Sequence, residues 1–229
     1  MIRKEFDMKK FTSFWMMVAL AMMSVTFASC DDDPWHDDWD RPGYFPGGGQ
    51  DEVTTADEAA ALCTEWFGTV RYTYKNSDNG YDVAEFYADM TFSRFNNNSL
   101  KGVGTEKDYT YNEDGSIRDT QTLTFTWSVL DNFDIQIVYD GGGTYVLDAN
   151  ASQKGFKLEY DKSKNKNVFY GYMIGSGSAS GEEIMFDFEE VNRLRSRASE
   201  TKVSFSKSFG IFADRPALTV SQGRLIKNR

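Results

Sequence analysis

TLTFTWSVLDNFDIQIVY, residues 122–139, is the stretch that decides the fold of this chain. Its first half alternates between polar and apolar residues, the apolar ones being Leu123, Phe125, Trp127 and Val129. A second apolar series follows the pair Asp131-Asn132, at Phe133, Ile135, Ile137 and Tyr139. A period of two is typical of a β-strand with one buried face, and turn residues that tolerate positive φ between two such runs indicate a hairpin. The stretch therefore predicts two antiparallel strands.

The same period recurs through most of the sequence that surrounds this hairpin. Stretches rich in Gly, Asn and Asp separate the alternating runs, as expected for tight turns. No helical segment lies between the runs, which argues against a parallel α/β sheet. Further strands are predicted at residues 66–74, 84–92, 144–147, 156–160, 168–174, 184–188 and 202–208, with a weaker one within residues 100–111.

The number of predicted strands indicates how the sheet is arranged. About ten antiparallel strands do not stay an open single layer, so they close into a barrel or fold into two sheets. Short connections between consecutive strands favour an all-β, antiparallel up-and-down barrel of about 8–10 strands, and a β-sandwich is the alternative. One short N-terminal helix precedes the strands. Thr55 and Glu58 fit a capping box, and an apolar face follows at Ala59, Leu62, Cys63 and Trp66.

The inward faces of these strands contain the candidate ligand-binding residues. An eight-stranded barrel is just wide enough to be filled by side chains or to hold one small ligand. Both alternatives are open: large inward aromatics fill the barrel, or they line a cavity whose rim carries Tyr72, Tyr74, Tyr139 and Tyr172. The predicted inward set is Phe86, Met90, Phe92, Phe125, Trp127, Ile137 and Tyr139.

Composition excludes several classes of function. The 229 residues include 25 Lys and Arg against 35 Asp and Glu, a net charge of −10, which argues against nucleic-acid binding. The single histidine, His36, and only two cysteines exclude a Cys/His zinc cluster and a nucleophile–His pair, so we predict no metal, no cofactor and no catalytic residue. Adjacent strand residues point to opposite faces, so the doublets Glu182-Glu183 and Glu189-Glu190 do not supply paired carboxylates. We therefore predict that the protein is not an enzyme.

The N-terminus has the pattern of an export signal. Four basic residues precede the apolar run 14–28, whose fifteen residues would span only about 22 Å as a helix, short of a bilayer core. The run ends in Phe27-Ala28-Ser29-Cys30, which resembles the lipobox of bacterial lipoproteins. That resemblance implies that residues 1–29 are a signal peptide and that Cys30 is lipidated. Acyl chains on Cys30 would anchor the protein to the membrane.

The residues after Cys30 are typical of an extended tether. Residues 30–52 carry eight acidic residues and one basic residue, with Gly47-Gly48-Gly49 adding flexibility. The run Cys30-Asp-Asp-Asp33 resembles the export tag on surface lipoproteins of Bacteroides-type bacteria, which implies an outer-membrane, cell-surface location. At the other end of the chain, segment 193–229 has nine basic and two acidic residues.

The whole arrangement resembles the lipocalin-like lipoproteins of these bacteria. It consists of a signal, a lipidated cysteine, a tether, a short helix and a β-meander that starts at Trp66-Phe67-Gly68, so residues 53–229 are expected to form a lipocalin-like barrel domain. The resemblance implies that the barrel binds a small apolar or aromatic ligand. The alternative is a non-catalytic module that docks on an outer-membrane complex, with a glycan or a membrane protein as its partner.

Overall fold

The structure, a computed structural model, describes residues 53–191, 207–220 and 223–226. Within these residues the chain forms one α-helix, nine β-strands and a single turn of 3-10 helix at Gly177–Ala179. The elements are α1 (Thr55–Leu62), β1 (Glu65–Lys75), β2 (Tyr81–Arg94), β3 (Lys101–Tyr111), β4 (Ile117–Val129), β5 (Ile135–Tyr139), β6 (Thr144–Leu147), β7 (Phe156–Asp161), β8 (Lys166–Ser176) and β9 (Glu183–Glu190).

The strands form a closed antiparallel barrel. Strands β1 to β6 pair consecutively, β9 pairs with β1, and β8 pairs with β9. The C-terminal part of β8 pairs with β6 and closes an eight-stranded barrel, while its N-terminal part pairs with β7. The predicted all-β, up-and-down, lipocalin-like barrel is confirmed, and the alternative sandwich is not formed.

The barrel has two different ends. We call the end where α1 leads into β1 the helix end, because α1 packs there on the core through Ala59 and Leu62. At the opposite end, the loop end, four turns connect β1 to β2, β3 to β4, β5 to β6 and β8 to β9. Side chains alternate between the interior and the outer surface along the strands, as β2 shows most clearly.

The capping box of α1 lies one residue before the predicted one. Thr54 Oγ1 accepts a hydrogen bond from Asp57 N, and Asp57 Oδ2 accepts one from Thr54 N. The predicted pair, Thr55 and Glu58, is wrong because Glu58 turns towards the barrel and is fully buried. Trp66 belongs to β1 rather than to the helix, but its Nε1 donates to Leu62 O at 3.2 Å and fixes the junction.

The β4–β5 hairpin also differs in detail from the prediction. Its turn spans residues 130–134, and Phe133 has the positive φ, 67°, that was expected of Asp131 or Asn132. Asn132 and Asp134 instead hydrogen-bond to each other across the turn. The five-residue connection, rather than a two-residue one, accounts for the shift.

The described C-terminal segment packs along the outside of the barrel. Phe209 forms an isolated antiparallel bridge with Leu158, and Phe212 covers Tyr170 and Tyr172 on the outer face of β8. The predicted strand 202–208 lies mostly outside the described residues, and its last two residues, 207 and 208, are not in a strand.

Arg215 fixes this segment to the barrel wall. Its guanidinium contacts Asp187 at 2.8 Å, Asp161 at 3.2 Å and Glu189 at 3.5 Å. It also lies 5.4 Å from the ring centre of Tyr170. The part of the chain around Arg215 is therefore held by an acidic stripe on β7 and β9.

The predicted signal peptide, Cys30 and the tether lie outside the described residues. Of the helices that the structure describes, none has the length and apolar character needed to cross a bilayer.

Candidate functional site

The seven predicted ligand-binding residues lie together inside the barrel. They come from β2, β4 and β5, and each is at most 2% exposed. Their rings pack directly on one another: Phe92 lies 5.2 Å from Phe125 and 5.9 Å from Trp127, and Phe125 lies 5.5 Å from Tyr139. This set packs together inside the barrel between its two ends, and its role in binding a ligand stays a prediction.

A hydrogen-bonded cluster of tyrosines lies at the loop end. The hydroxyls of Tyr72 and Tyr145 donate to Glu182 Oε2 at 2.5 and 2.7 Å. Burial, with the hydrogen bonds to Tyr72 and Glu182, raises the pKa of Tyr145, so its hydroxyl remains a neutral donor. The cluster differs from the predicted rim because Tyr172 lies on the outer face against Phe212. Sequence reasoning missed Tyr145, although it shares a face with Leu147 in a predicted strand.

The inner face of β3 is polar at the same end. Its buried residues are Gly102, Gly104, Glu106, Asp108 and Thr110. Glu106 accepts a hydrogen bond from the hydroxyl of Tyr139, and Asp108 accepts one from Gln121 Nε2 at 2.6 Å. The sequence only weakly predicted this strand because its inward residues are not apolar.

Each glutamate doublet is divided between two environments. Glu182 binds the buried tyrosines, whereas Glu183 binds Lys154 Nζ at 2.5 Å on the surface. Glu189 binds Lys164 and Lys166, and their hydrogen bonds lower its pKa, whereas Glu190 accepts from Asn167 Nδ2. Neither doublet forms the convergent pair that a glycosidase uses.

An open groove of about 530 Å³ lies on the outside of the barrel. Strands β1, β2 and β3 contribute aromatic rings to its floor: Phe67 stacks on Tyr87 at 5.9 Å, and Tyr111 meets Tyr87 edge-on at 5.4 Å. We call it the outer groove; its lining residues are Phe67, Tyr87, Tyr111, Asn112, Glu113, Arg118, Val220 and Gly223.

The outer groove was not predicted from the sequence. Alternation of polar and apolar residues predicts a polar outward face, whereas Phe67, Tyr87 and Tyr111 place aromatic rings on it. The signal was present, because Tyr109 and Tyr111 both fall on the outward positions of β3. Tyr109 extends the aromatic row and donates to Asp89 Oδ2 at 2.6 Å. The C-terminal wall of the groove could not be placed without the fold.

Among the described residues, no group of three or more His, Cys, Asp or Glu side chains could hold a metal ion. Comparison of the chain with protein-family models, with curated proteins and with solved structures gave no match.

Proposed function

We propose that the protein is a non-catalytic binding protein, anchored by a lipid on Cys30 to the outer membrane at the cell surface, whose ligand occupies the outer groove. One contrast supports this proposal. The predicted pocket residues pack against one another inside the barrel, whereas an open groove of about 530 Å³ lies on its outer surface. That volume is in the range of small-molecule sites, about 300–1,000 Å³.

The lining of the outer groove favours a saccharide as the ligand. Aromatic faces contact the apolar C–H faces of sugar rings, and the hydroxyl of a tyrosine remains available for a polar partner. Asn112, Glu113 and Arg118 supply both donors and acceptors for sugar hydroxyls beside those rings. One acid and one base give the groove no strong charge of either sign, which suits a neutral ligand.

Calorimetric titration of the full chain with maltohexaose, cellohexaose and xylohexaose tests this proposal. We expect one of these neutral chains to bind. Tyr87→Ala should raise the Kd for that oligosaccharide at least about tenfold, because the central ring of the aromatic row is lost. Tyr160→Ala is the matched control, since Tyr160 lies on β7 outside the groove lining. Equal affinities for the wild type and Tyr87→Ala would exclude the outer groove as the site.

The anchor has a separate test. Cys30→Ser should move the protein from the membrane fraction to the soluble fraction in its own cells, because the thioether to the lipid cannot form. Retention of the variant in the membrane fraction would contradict anchoring through Cys30.

A small apolar ligand inside the barrel is the second candidate function. The observation that favours it is the row of inward aromatics that extends from Phe92 through Phe125 to Tyr139. Native mass spectrometry of protein purified from its own cells distinguishes the two sites. A co-purified apolar molecule that Tyr87→Ala still retains would support the interior site.

A further inference from the structure

The aromatic rings of the outer groove have two orientations. The ring planes of Phe67 on β1 and Tyr87 on β2 are 8° apart, so these two rings are nearly parallel. The planes of Tyr87 and Tyr111 are 77° apart. Tyr109, which extends the aromatic row on β3, keeps the orientation of Tyr111 to within 17°. The aromatic row therefore turns once, between the ring on β2 and the rings on β3.

The backbone of β3 accounts for the position of this turn. The ladder between β2 and β3 ends at the pair Tyr87–Tyr109, so Tyr111 lies two residues beyond the last paired residue of its strand. The β3–β4 register also shifts between Thr110 and Tyr111. An irregularity of this kind bends a strand and increases its local twist. The orientation of the Tyr111 ring therefore follows from the path of β3 and not only from its own side-chain torsions.

Gly223 supports the two strands at the point where their ladder has ended. A Cβ on Gly223 would lie 2.6 Å from Glu85 O on β2 and 2.8 Å from Thr110 Cγ2 on β3, so a residue without a side chain is required here. The next residue, Arg224, donates its backbone N–H to Glu85 O at 3.1 Å. Because Gly223 lines the outer groove together with Tyr111, this contact belongs to the bend in the groove floor.

The shape of an oligosaccharide decides whether it can contact rings of both orientations. Aromatic rings contact a sugar through its apolar C–H face. In a β-1,4-linked glucan the sugar rings form an extended, flat ribbon, so a chain that lies on Phe67 and Tyr87 does not turn towards a ring at 77°. In an α-1,4-linked glucan successive rings turn relative to one another and form a helix. Neighbouring units of such a chain can therefore contact both orientations.

The polar groups of the outer groove lie on the Tyr111 side of the bend. Asn112 and Glu113 follow Tyr111 directly along the chain, and Arg118 lies on the next strand, β4. Their amide, carboxylate and guanidinium groups supply both donors and acceptors for sugar hydroxyls. A unit that turns to contact Tyr111 therefore gains a ring contact and hydrogen bonds, whereas a unit on Phe67 and Tyr87 gains ring contacts.

We infer that the outer groove selects a helical, α-1,4-linked glucan over a flat, β-1,4-linked one, and that Tyr111 is the residue that determines this choice. One unit of the chain contacts the parallel rings of Phe67 and Tyr87, and a neighbouring, turned unit contacts Tyr111. This inference rests on the proposed saccharide function and adds to it the linkage of the ligand and the residue that recognises it.

Maltohexaose and cellohexaose form a matched pair of ligands for the full, unmutated chain. Both consist of six glucose units with the same hydroxyls in each unit, so a difference in affinity reports the linkage. By calorimetric titration we expect the Kd for maltohexaose to be at least about tenfold lower than the Kd for cellohexaose. Equal or tighter binding of cellohexaose or xylohexaose would overturn the linkage preference and leave the saccharide proposal standing. Absence of binding by all three would overturn both.

The role of Tyr111 is tested with two substitutions. Tyr111→Leu keeps an apolar side chain but removes the ring, and it should raise the Kd for maltohexaose at least about tenfold. Tyr111→Phe keeps the ring and should bind maltohexaose within about twofold of the wild type. Tyr160→Leu, on β7 outside the groove lining, is the matched control and should leave this Kd unchanged. An unchanged Kd for Tyr111→Leu, or an equal loss with Tyr111→Phe, would overturn the assignment of Tyr111.

Discussion

At the scale of single residues, Glu58 places an acid in the apolar contact between α1 and the barrel. It is fully buried, and neither carboxyl oxygen has a hydrogen-bond partner among the residues described. Burial, with a smaller contribution from the charge of Asp134, raises its pKa from 4.5 to about 8. Near neutral pH the folded protein therefore keeps this proton, whereas the unfolded chain releases it.

This difference predicts how stability depends on pH. A raised acid pKa in the folded state means that the free energy of unfolding falls as pH rises from 4.5 to about 8, by up to about 1.4 kcal/mol per pH unit. Glu58→Gln should remove this slope and be more stable than the wild type at pH 8, but not at pH 4. Urea unfolding at several pH values measures the effect. Glu113 lies on an exposed turn, so for Glu113→Gln the free energy of unfolding should depend on pH as it does for the wild type. The same pH dependence for Glu58→Gln would contradict the prediction.

The predictions that were wrong at this scale, the helix cap and the residue of positive φ in the β4–β5 turn, each required a choice between neighbouring residues. Thr54 and Thr55 are both good cap residues, and the choice depends on which of Asp57 and Glu58 faces the barrel. Phe133 adopts the positive φ although Asp131 and Asn132 are intrinsically better suited to it. In both cases tertiary contacts decide between local options of similar energy, so the sequence alone could not.

At the scale of elements, β3 shows why the filled barrel needs small inward residues. A Cβ on Gly104 would lie 2.2 Å from a ring carbon of Phe125 and 2.6 Å from Thr91 O. Gly104→Ala should therefore lower the free energy of unfolding by about 1–3 kcal/mol, because the ring and the strand must move apart. Chemical denaturation measures this loss. Thr105→Ala, at the exposed position next to it, should change stability by no more than about 0.5 kcal/mol.

The same strand marks the limit of prediction from periodicity. Strand β4 was predicted well because its inward residues are large and apolar and its outward ones are Thr and Ser. Strand β3 alternates just as regularly, but its inward residues are glycines, acids and a threonine, so a hydrophobic pattern does not reveal it. The polar patch inside the barrel follows from these residues and could only be recognised once the register was known.

At the scale of the whole molecule, the order of the strands was predictable and the surfaces were not. Short turns between consecutive strands already favoured an up-and-down barrel. The outer groove also depends on Val220 and Gly223, which lie far in sequence from the strands that they cover. Phe209 bridges to Leu158, and Gly223 lies against Thr110, so contacts between residues far apart in sequence place the C-terminal segment on the barrel.

Arg215 forms an ionic link between residues 207–220 and the barrel, beside the ion pair of Lys207 with Asp57. Its removal should therefore loosen this segment more than the barrel. Arg215→Ala deletes the contacts to Asp161, Asp187 and Glu189, and hydrogen bonds to charged groups contribute about 1.5–3 kcal/mol. The amides of Phe209 and Ile211, which bind Leu158 O and Ala149 O, should then exchange hydrogen at least about tenfold faster, while amides of β1 and β2 keep their protection.

Hydrogen exchange followed by mass spectrometry measures both sets of amides in one sample. Lys154→Ala is the matched control, because its ion pair with Glu183 lies on the surface and the Lys154 side chain is 61% exposed. This control should leave Phe209 and Ile211 protected. If Arg215→Ala accelerates hydrogen exchange equally in the strands and in the segment, the segment unfolds together with the barrel. It would then not be a separate segment held mainly by charge. Selective acceleration would mean that the segment around Phe209 and Ile211 can detach while the barrel stays folded.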